Sequence, residues 1–360
     1  MATDVLIDAS SLRDVGSSLR GFGRYVRAML DSLPDQPGIS VRALATGPIE
    51  ADRSVPLVEV RRRAPARAAW LEHVTRLGID VARARPDVFH SPTIDPPLWC
   101  TRPWIHTLHD IIPVLSTDPI HAQERRRWKL RARALRRADR VIAITQHSAD
   151  LGIRHLGLDA DRVRVIHHGV NPGFGPPDVR RQPDPPFVLY VGAYGPDKGF
   201  GEAFQVVERL AELGYPHRLK LVGAVNDWAR PFVERLRPGP RVDLLGAVSD
   251  DELTRLYQTA AALVVTSRAE GFGRPPIEAM AAALPIVSFA NTSLPEVVGD
   301  GGVLVADGDV PAFVDALRSL LDDDAAWADL SARAHARVGA FSWERCARQH
   351  AELYREVAGG

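Results

Sequence analysis

The chain has 360 residues, 45 Lys+Arg against 45 Asp+Glu, and 45% hydrophobic residues. That length suits two domains, the apolar content is too high for a disordered chain, and zero net charge argues against a general nucleic-acid binder. The zero is uneven, however: residues 1–180 hold 27 basic and 20 acidic side chains, and residues 181–360 hold 18 and 25, so the two halves are expected to face different partners.

No apolar run reaches the roughly 18 residues of a membrane helix, and the longest, Ala279–Ala290, is broken by Pro285. The opening MATDVLIDAS places Asp4 ahead of a very short apolar stretch and lacks the basic start of a secretion signal. Cys100 and Cys346 are far apart and form no C-x-x-C, so they supply neither a disulfide framework nor a zinc site. A cytoplasmic protein is expected.

Short apolar, β-branched runs alternate with helix-period segments along the chain. The runs are Val5–Ile7, Val88–Phe89, Val141–Ile144, Val163–Ile166, Phe187–Val191, Leu219–Val222, Val242–Leu245, Leu263–Val265, Ile286–Phe289 and Val303–Val305. Amphipathic stretches include Tyr25–Leu33, Glu202–Leu213, Glu252–Thr259, Ala312–Leu321 and Trp343–Val357. This alternation predicts βαβ units and parallel sheets covered on both faces, an α/β chain. The pattern breaks at Asn171–Pro186, where six prolines and two glycines in sixteen residues exclude a helix or central strand. That stretch reads as a linker between two doubly wound domains. Ligands of such sheets bind at the carboxyl ends of the strands, so the chemistry is expected in strand-end loops lining a cleft between the domains.

The richest segment is Ser267–Val287, SRAEGFGRPPIEAMAAALPIV. A strand runs into a loop with Gly271 and Gly273, and Pro275 and Pro276 open a helix, where a missing N–H is harmless. A glycine loop feeding a helix N-terminus aims backbone N–H groups and the positive dipole end at one spot, an anion site. Glu270 and Glu278 flank it. Carboxylates would repel phosphate directly but suit sugar hydroxyls beside it, since a carboxylate accepts two hydrogen bonds from a vicinal diol.

EGFGRPPIEAM resembles the E-x7-E signature of the retaining family-4 glycosyltransferases, which have the GT-B fold. Seven further segments are similar to that family in its usual order: Gly21–Val26 (GFGRYV), His109–Val114 (HDIIPV), Val165–Val170 (VIHHGV), Tyr190–Gly199 (YVGAYGPDKG), Leu245–Leu256 (LGAVSDDELTRL), Leu294–Asp300 (LPEVVGD) and Phe341–Arg345 (FSWER). The resemblance covers essentially the whole chain. It implies two Rossmann-like domains facing a central cleft: an acceptor-side domain at residues 1–172, joined by a C-terminal helix at 343–360, and a nucleotide-sugar domain at 173–342.

The resemblance also implies roles. Glu270 would hold hydroxyls of the donor sugar and Glu278 the ribose; the amides of Gly271, Phe272 and Gly273 would take the diphosphate. Lys198 matches the basic residue that neutralises the leaving diphosphate, and the loop Gly246–Ser249, with Val248, would border the base. Gly21 and Gly23 match the glycine loop that closes over diphosphate and acceptor, and His109 the histidine beside the transferred sugar. The catalytic set is therefore His109, Glu270 and Lys198, with no protein nucleophile assigned and no metal or other cofactor beyond the nucleotide-diphosphate sugar as co-substrate. Transfer builds positive charge on the sugar and negative charge on the diphosphate, which cations, amides and a helix dipole stabilise.

Two positions depart from the family pattern. Asp197 stands where a second basic residue is common, and Arg274 where an apolar residue is common; Arg274 is expected to supply the cation that Asp197 does not. The stretch Glu124–Arg140 holds nine basic and two acidic residues with Trp128 and Leu135 interleaved. It reads either as an anionic-membrane contact or as a solvated helix with its apolar residues packed inward. The expected function is transfer of a hexose, mannose or rhamnose favoured, to a saccharide, lipid-linked saccharide or natural-product hydroxyl. An inactive nucleotide-sugar-binding partner subunit and a GT-B sugar-nucleotide epimerase are the alternatives.

Overall fold

A computed structural model describes residues 2–12, 21–49, 55–62, 66–116, 121–178, 183–192, 196–223, 230, 233–234 and 241–359. The chain divides into two compact units, Met1–Gly169 with Trp343–Gly360, and Val170–Ser342.

The first unit is built on seven parallel strands: β1 (Thr3–Asp8), β2 (Ile39–Ala45), β3 (Leu57–Glu59), β4 (Val88–Ser91), β5 (Trp104–Leu108), β6 (Arg140–Ala143) and β7 (Val163–Val165). Their order is β3-β2-β1-β4-β5-β6-β7, with Val5 opposite both Val41 and Val88. Val5, Leu6 and Ile7 are wholly buried because helices cover both faces, as a parallel sheet requires. Val5 and Ile7 face α1 (Gly21–Ser32) and the C-terminal helix Trp343–Gly359; Leu6 points into the opposite core with Leu77 and Val81 of α2 (Ala66–Ala84) and Trp128 and Leu135 of α3 (Ala122–Leu135). The alternation along one strand thus sorts two cores.

The second unit has six parallel strands: β8 (Phe187–Val191), β9 (Arg218–Val222), β10 (Val242–Gly246), β11 (Leu263–Val265), β12 (Ile286–Phe289) and β13 (Val303–Val305), ordered β10-β9-β8-β11-β12-β13. In the first unit α4 (Gln146–Leu156) follows β6; in the second, Val206, Val207 and Leu210 of α5 (Phe200–Glu212) and Phe313, Val314 and Leu317 of α8 (Val310–Asp322) fill the core. Both sheets reverse direction of winding once, between β1 and β4 and between β8 and β11. Loops leaving the strands at such a point part to opposite sides and leave room for a ligand.

One expectation is corrected. The glycines of GFGRYV are not a loop: Gly21 and Gly23 lie within α1. The buried stripe Tyr25, Val26, Met29 and Leu30 holds that helix against the sheet. The proline-rich stretch follows directly on the boundary between the units, and its start is bound into the second unit: Val170 N donates to Phe341 O, and Gly173 O and Gly175 O accept from Thr254 and Gln258. Residues 179–182 of that stretch, and 193–195 of YVGAYGPDKG, lie outside the described residues. No helix among those described is long and apolar enough to cross a membrane.

Candidate active site

In the second unit the site forms where β8 and β11 part. The loop after β8 presses against the end of β11 at Gly199, whose φ is +61° and where a Cβ would stand 1.7 Å from Thr266 O; only glycine fits that approach. Thr266 Oγ1 donates to Gly199 O at 2.6 Å, and Asp197 O accepts from Arg268 N and Ala269 N. The main chain of Asp197 therefore ties the two loops together. Lys198, thus placed, sets Nζ 3.0 Å from Ala269 O and 2.9 Å from Glu270 Oε1.

The glycine loop is held from behind by residues that sequence reasoning passed over. Ser293 Oγ, fully buried, lies 3.0 Å from both Glu270 O and Phe272 O, and Glu270 N donates to Thr292 Oγ1. The only signal for them was adjacency to LPEVVGD. Phe272 is buried edge-on against Phe341. Gly273, with φ +99°, turns the chain into α7 (Arg274–Ala281), the last helix of this loop's own βα unit, preceded in sequence by α6 (Asp250–Thr259). Glu278 is buried, one oxygen 3.0 Å from Tyr257 OH and the other 3.3 Å from Arg274 Nη2. Tyr257, on α6, was also missed. Arg274 Nη1 is buried with no protein hydrogen-bond partner among the described residues. Arg274 is thus bound to the expected ribose carboxylate as well as lying beside the glycine loop.

Lys198, Glu270, Gly271, Phe272, Gly273, Arg274 and Glu278 therefore gather at one sheet edge. Val248 does not lie on these loops: it follows β10, the edge strand separated from β8 by β9, in the turn where Ser249 caps α6 by accepting from Glu252 N. Among the described residues no group of three or more His, Cys, Asp or Glu side chains is placed to hold a metal ion.

His109, Gly21 and Gly23 belong to the first unit. His109 follows β5, and its Nε2 donates to Pro92 O at 2.8 Å, directly beyond β4. A carbonyl only accepts, so Nε2 carries the proton. Burial pushes the pKa of His109 below the usual histidine value, against smaller raising effects of Pro92 and Asp110, so the ring is neutral and Nδ1 is a bare acceptor. Asp110 does not pair with it: its carboxylate accepts from Ile112 N at the start of the next helical turn.

Residues 19–174 match the family described as Glycosyltransferase Family 4, and residues 176–337 match Glycosyl transferases group 1. O-antigen chain mannosyltransferase B of Escherichia coli is 30% identical over 284 residues, covering 74% of each chain. The chain belongs to glycosyltransferase family 4. The glycosyltransferase is also 27% identical to D-inositol 3-phosphate glycosyltransferase of Paenarthrobacter aurescens (strain TC1), over 98% of its own length and 91% of that protein. Among solved structures it is similar to sucrose-phosphate synthase from Thermosynechococcus elongatus, with TM-score 0.80, 24% identity and 99% of each chain covered. Anabaena HepE in complex with UDP and glucose aligns with TM-score 0.72 and 20% identity over 98% of this chain and 99% of that one. The two Rossmann-like units are those of the GT-B fold.

Proposed function

We propose that this glycosyltransferase moves a hexose, mannose or rhamnose in preference, from a nucleoside-diphosphate donor to a saccharide, lipid-linked saccharide or natural-product hydroxyl with retention of anomeric configuration. The observation that carries the reading is the meeting of Lys198, Glu270, the Gly271–Gly273 loop and the start of α7 where β8 and β11 part. A cation, a carboxylate and a helix N-terminus at one edge suit a sugar diphosphate. Lys198 and Arg274 face the diphosphate; Glu270 and Glu278 accept from sugar and ribose hydroxyls; His109 offers Nδ1 to a hydroxyl of the transferred sugar. In the step itself the acceptor oxygen bonds the anomeric carbon, the bond from that carbon to the phosphate oxygen breaks, and the acceptor proton passes to the departing diphosphate. The products are a glycoside and a nucleoside diphosphate, and no metal is invoked. The mannose preference draws support from relatives described as mannosyltransferases.

Thermal shift of the purified chain with GDP, UDP and dTDP, then turnover of GDP-mannose, tests the donor. Selective stabilisation by GDP is expected; stabilisation by UDP alone would overturn the mannose reading. Turnover in EDTA tests independence from metal, and the anomeric proton coupling of the product tests retention. Arg274→Ala should raise the donor KM about tenfold, since one charge-assisted hydrogen bond is worth about 1.5–3 kcal/mol; wild-type kinetics would remove it from the diphosphate site.

One observation favours a membrane-associated acceptor. On α3, Trp128 and Arg131 turn inward, Arg131 to Asp95 and Glu124 at 2.7 Å each, whereas Arg126, Lys129, Leu130 and Arg133 share an exposed stripe. Spacing of three and four puts them on one face, a cationic strip with an apolar centre that suits anionic headgroups. Co-sedimentation with phosphatidylglycerol vesicles should occur at low salt and be lost in Arg126→Glu/Arg133→Glu; no binding at low salt would retire the idea.

A further inference from the structure

Tyr25 of GFGRYV, His168 of VIHHGV and Trp343 of FSWER come from three family-like segments, and the first unit brings them together behind His109. The Tyr25 ring stacks on His168 with centroids 4.7 Å apart and meets His109 edge-on at 5.3 Å; His168 in turn stacks on Trp343 at 5.7 Å and meets His109 at 5.5 Å. All but His109 are buried. Beneath the stack runs a chain of buried hydrogen bonds whose direction is determined link by link.

The chain starts at the C-terminal helix. His350 Nδ1 lies 2.8 Å from Cys346 O, a carbonyl that only accepts, so Nδ1 bears the proton. Burial pushes the pKa of His350 down to about 4, so the ring is neutral and Nε2 is bare. Tyr25 OH, 2.6 Å away, must donate to it. Its single proton spent, the Tyr25 oxygen must accept from Thr107 Oγ1 at 3.0 Å. Thr107 must then accept from His90 Nε2 at 2.8 Å. Burial and the neighbouring histidines hold His90 well below the usual value, so its Nδ1 is bare and accepts from Tyr354 OH at 2.7 Å. Tyr354 and His350 are four residues apart on one helix face. The circuit leaves the C-terminal helix at Tyr354, passes β4, β5 and α1, and returns at His350, with one proton order and every named group matched.

Two middle members of this circuit border His109. Thr107 precedes it by two residues on β5, and His90 precedes by two the Pro92 whose carbonyl holds the His109 ring. We propose that the circuit is the positioning device of His109, with the Tyr25 hydroxyl as the positioning group that fixes the ring wall against which His109 stands. The proposal rests on the reading of His109 as a residue that touches the sugar.

Selective 15N labelling of histidine in the full chain reads the proton order without any substrate. His350 should be protonated at Nδ1 and His90 and His109 at Nε2, one sharp set of signals each; a proton on Nε2 of His350 or Nδ1 of His90 would overturn the circuit. In Tyr25→Phe the His109 signals should broaden or split, and unchanged signals would overturn the positioning role. A cycle on turnover of GDP-mannose, or of whichever sugar nucleotide the nucleotide panel selects, separates the claims. Tyr25→Phe should lower kcat on the order of tenfold or more, as misplaced reacting groups do, with KM little changed. In a His109→Ala background the same substitution should change kcat by less than about twofold. Full multiplication of the two losses would sink the proposal alone, whereas wild-type kcat in His109→Ala would sink the reading of His109. If Tyr25→Phe fails to fold, Thr107→Ser and Thr107→Val carry the same cycle: the first keeps the hydroxyl and should retain activity, the second should reproduce the loss.

Discussion

The cluster around Lys198 in the second unit and the surroundings of His109 in the first are built on opposite electrostatic principles. Around Lys198 and Glu270 the chain places full charges 2.9 Å apart at an edge where both side chains keep some exposure, 26% and 17%. Behind His109 it places neutral rings and hydroxyls, none charged and nearly all fully buried. Charges that are to bind a charged ligand must remain able to exchange one partner for another, which is cheap only where water reaches. A group that must keep one orientation needs partners that do not exchange, which a dry, fully matched network supplies. The difference teaches that a group that exchanges partners and a group that keeps one orientation call for different kinds of rigidity.

Substitutions can break the charged side first. Lys198→Ala should lower kcat on the order of a hundredfold, because it removes the cation at the developing diphosphate charge, with Lys198→Arg recovering part of the loss in a steady-state assay; an Ala variant within a few-fold of wild type would exclude the role. The neutral side is broken by acid. His350 titrates near 4 and His106 near 3 in the folded chain, both lowered from 6.5 by burial. The unfolded chain thus binds more protons between pH 6.5 and about 4, so stability is fully present above 6.5 and falls as the pH drops toward those folded values. Tm measured from pH 7.5 to 4.5 should decline steadily, and a flat profile would contradict neutral buried histidines. Tyr257→Phe tests a place where the two principles meet, the buried carboxylate of Glu278, and leaves one of its oxygens unmatched. Denaturant unfolding should show a loss of about 1–3 kcal/mol together with a raised donor KM. The smallest effect belongs to Ser249→Ala, which removes only the cap of α6 and should cost about 1 kcal/mol with donor affinity unchanged.

The same contrast decides what the sequence revealed. The donor loop is legible because its chemistry is local: Gly271, Gly273, Pro275 and Pro276 state the turn and the helix start within six residues. Strand β5, WIHTL, escaped because His106 and Thr107 interrupt the apolar run by which strands are recognised. Those residues are tolerated in a buried strand only because partners arrive from far away, Tyr25 joining a residue 325 positions later and His90 one 264 later. Strand β2, ISVRALA, was missed for a simpler reason, since Ser40 and Arg42 alternate with its apolar residues near the sheet margin. Local conflict with pattern marked a site where distant groups satisfy one another.

Residues 343–360 rejoin residues 1–169 in the first unit, so the second unit is inserted within it. Trp343, Cys346, Ala347, Ala351 and Tyr354 belong to the same core as Val5, Tyr25 and Met29. A chain emerging from the ribosome therefore holds all of the second unit before it can finish the first. Domains that usually mature in order of synthesis should here close in reverse, the later one first, and His109 should acquire its fixed orientation only after the helix Trp343–Gly359 has been released.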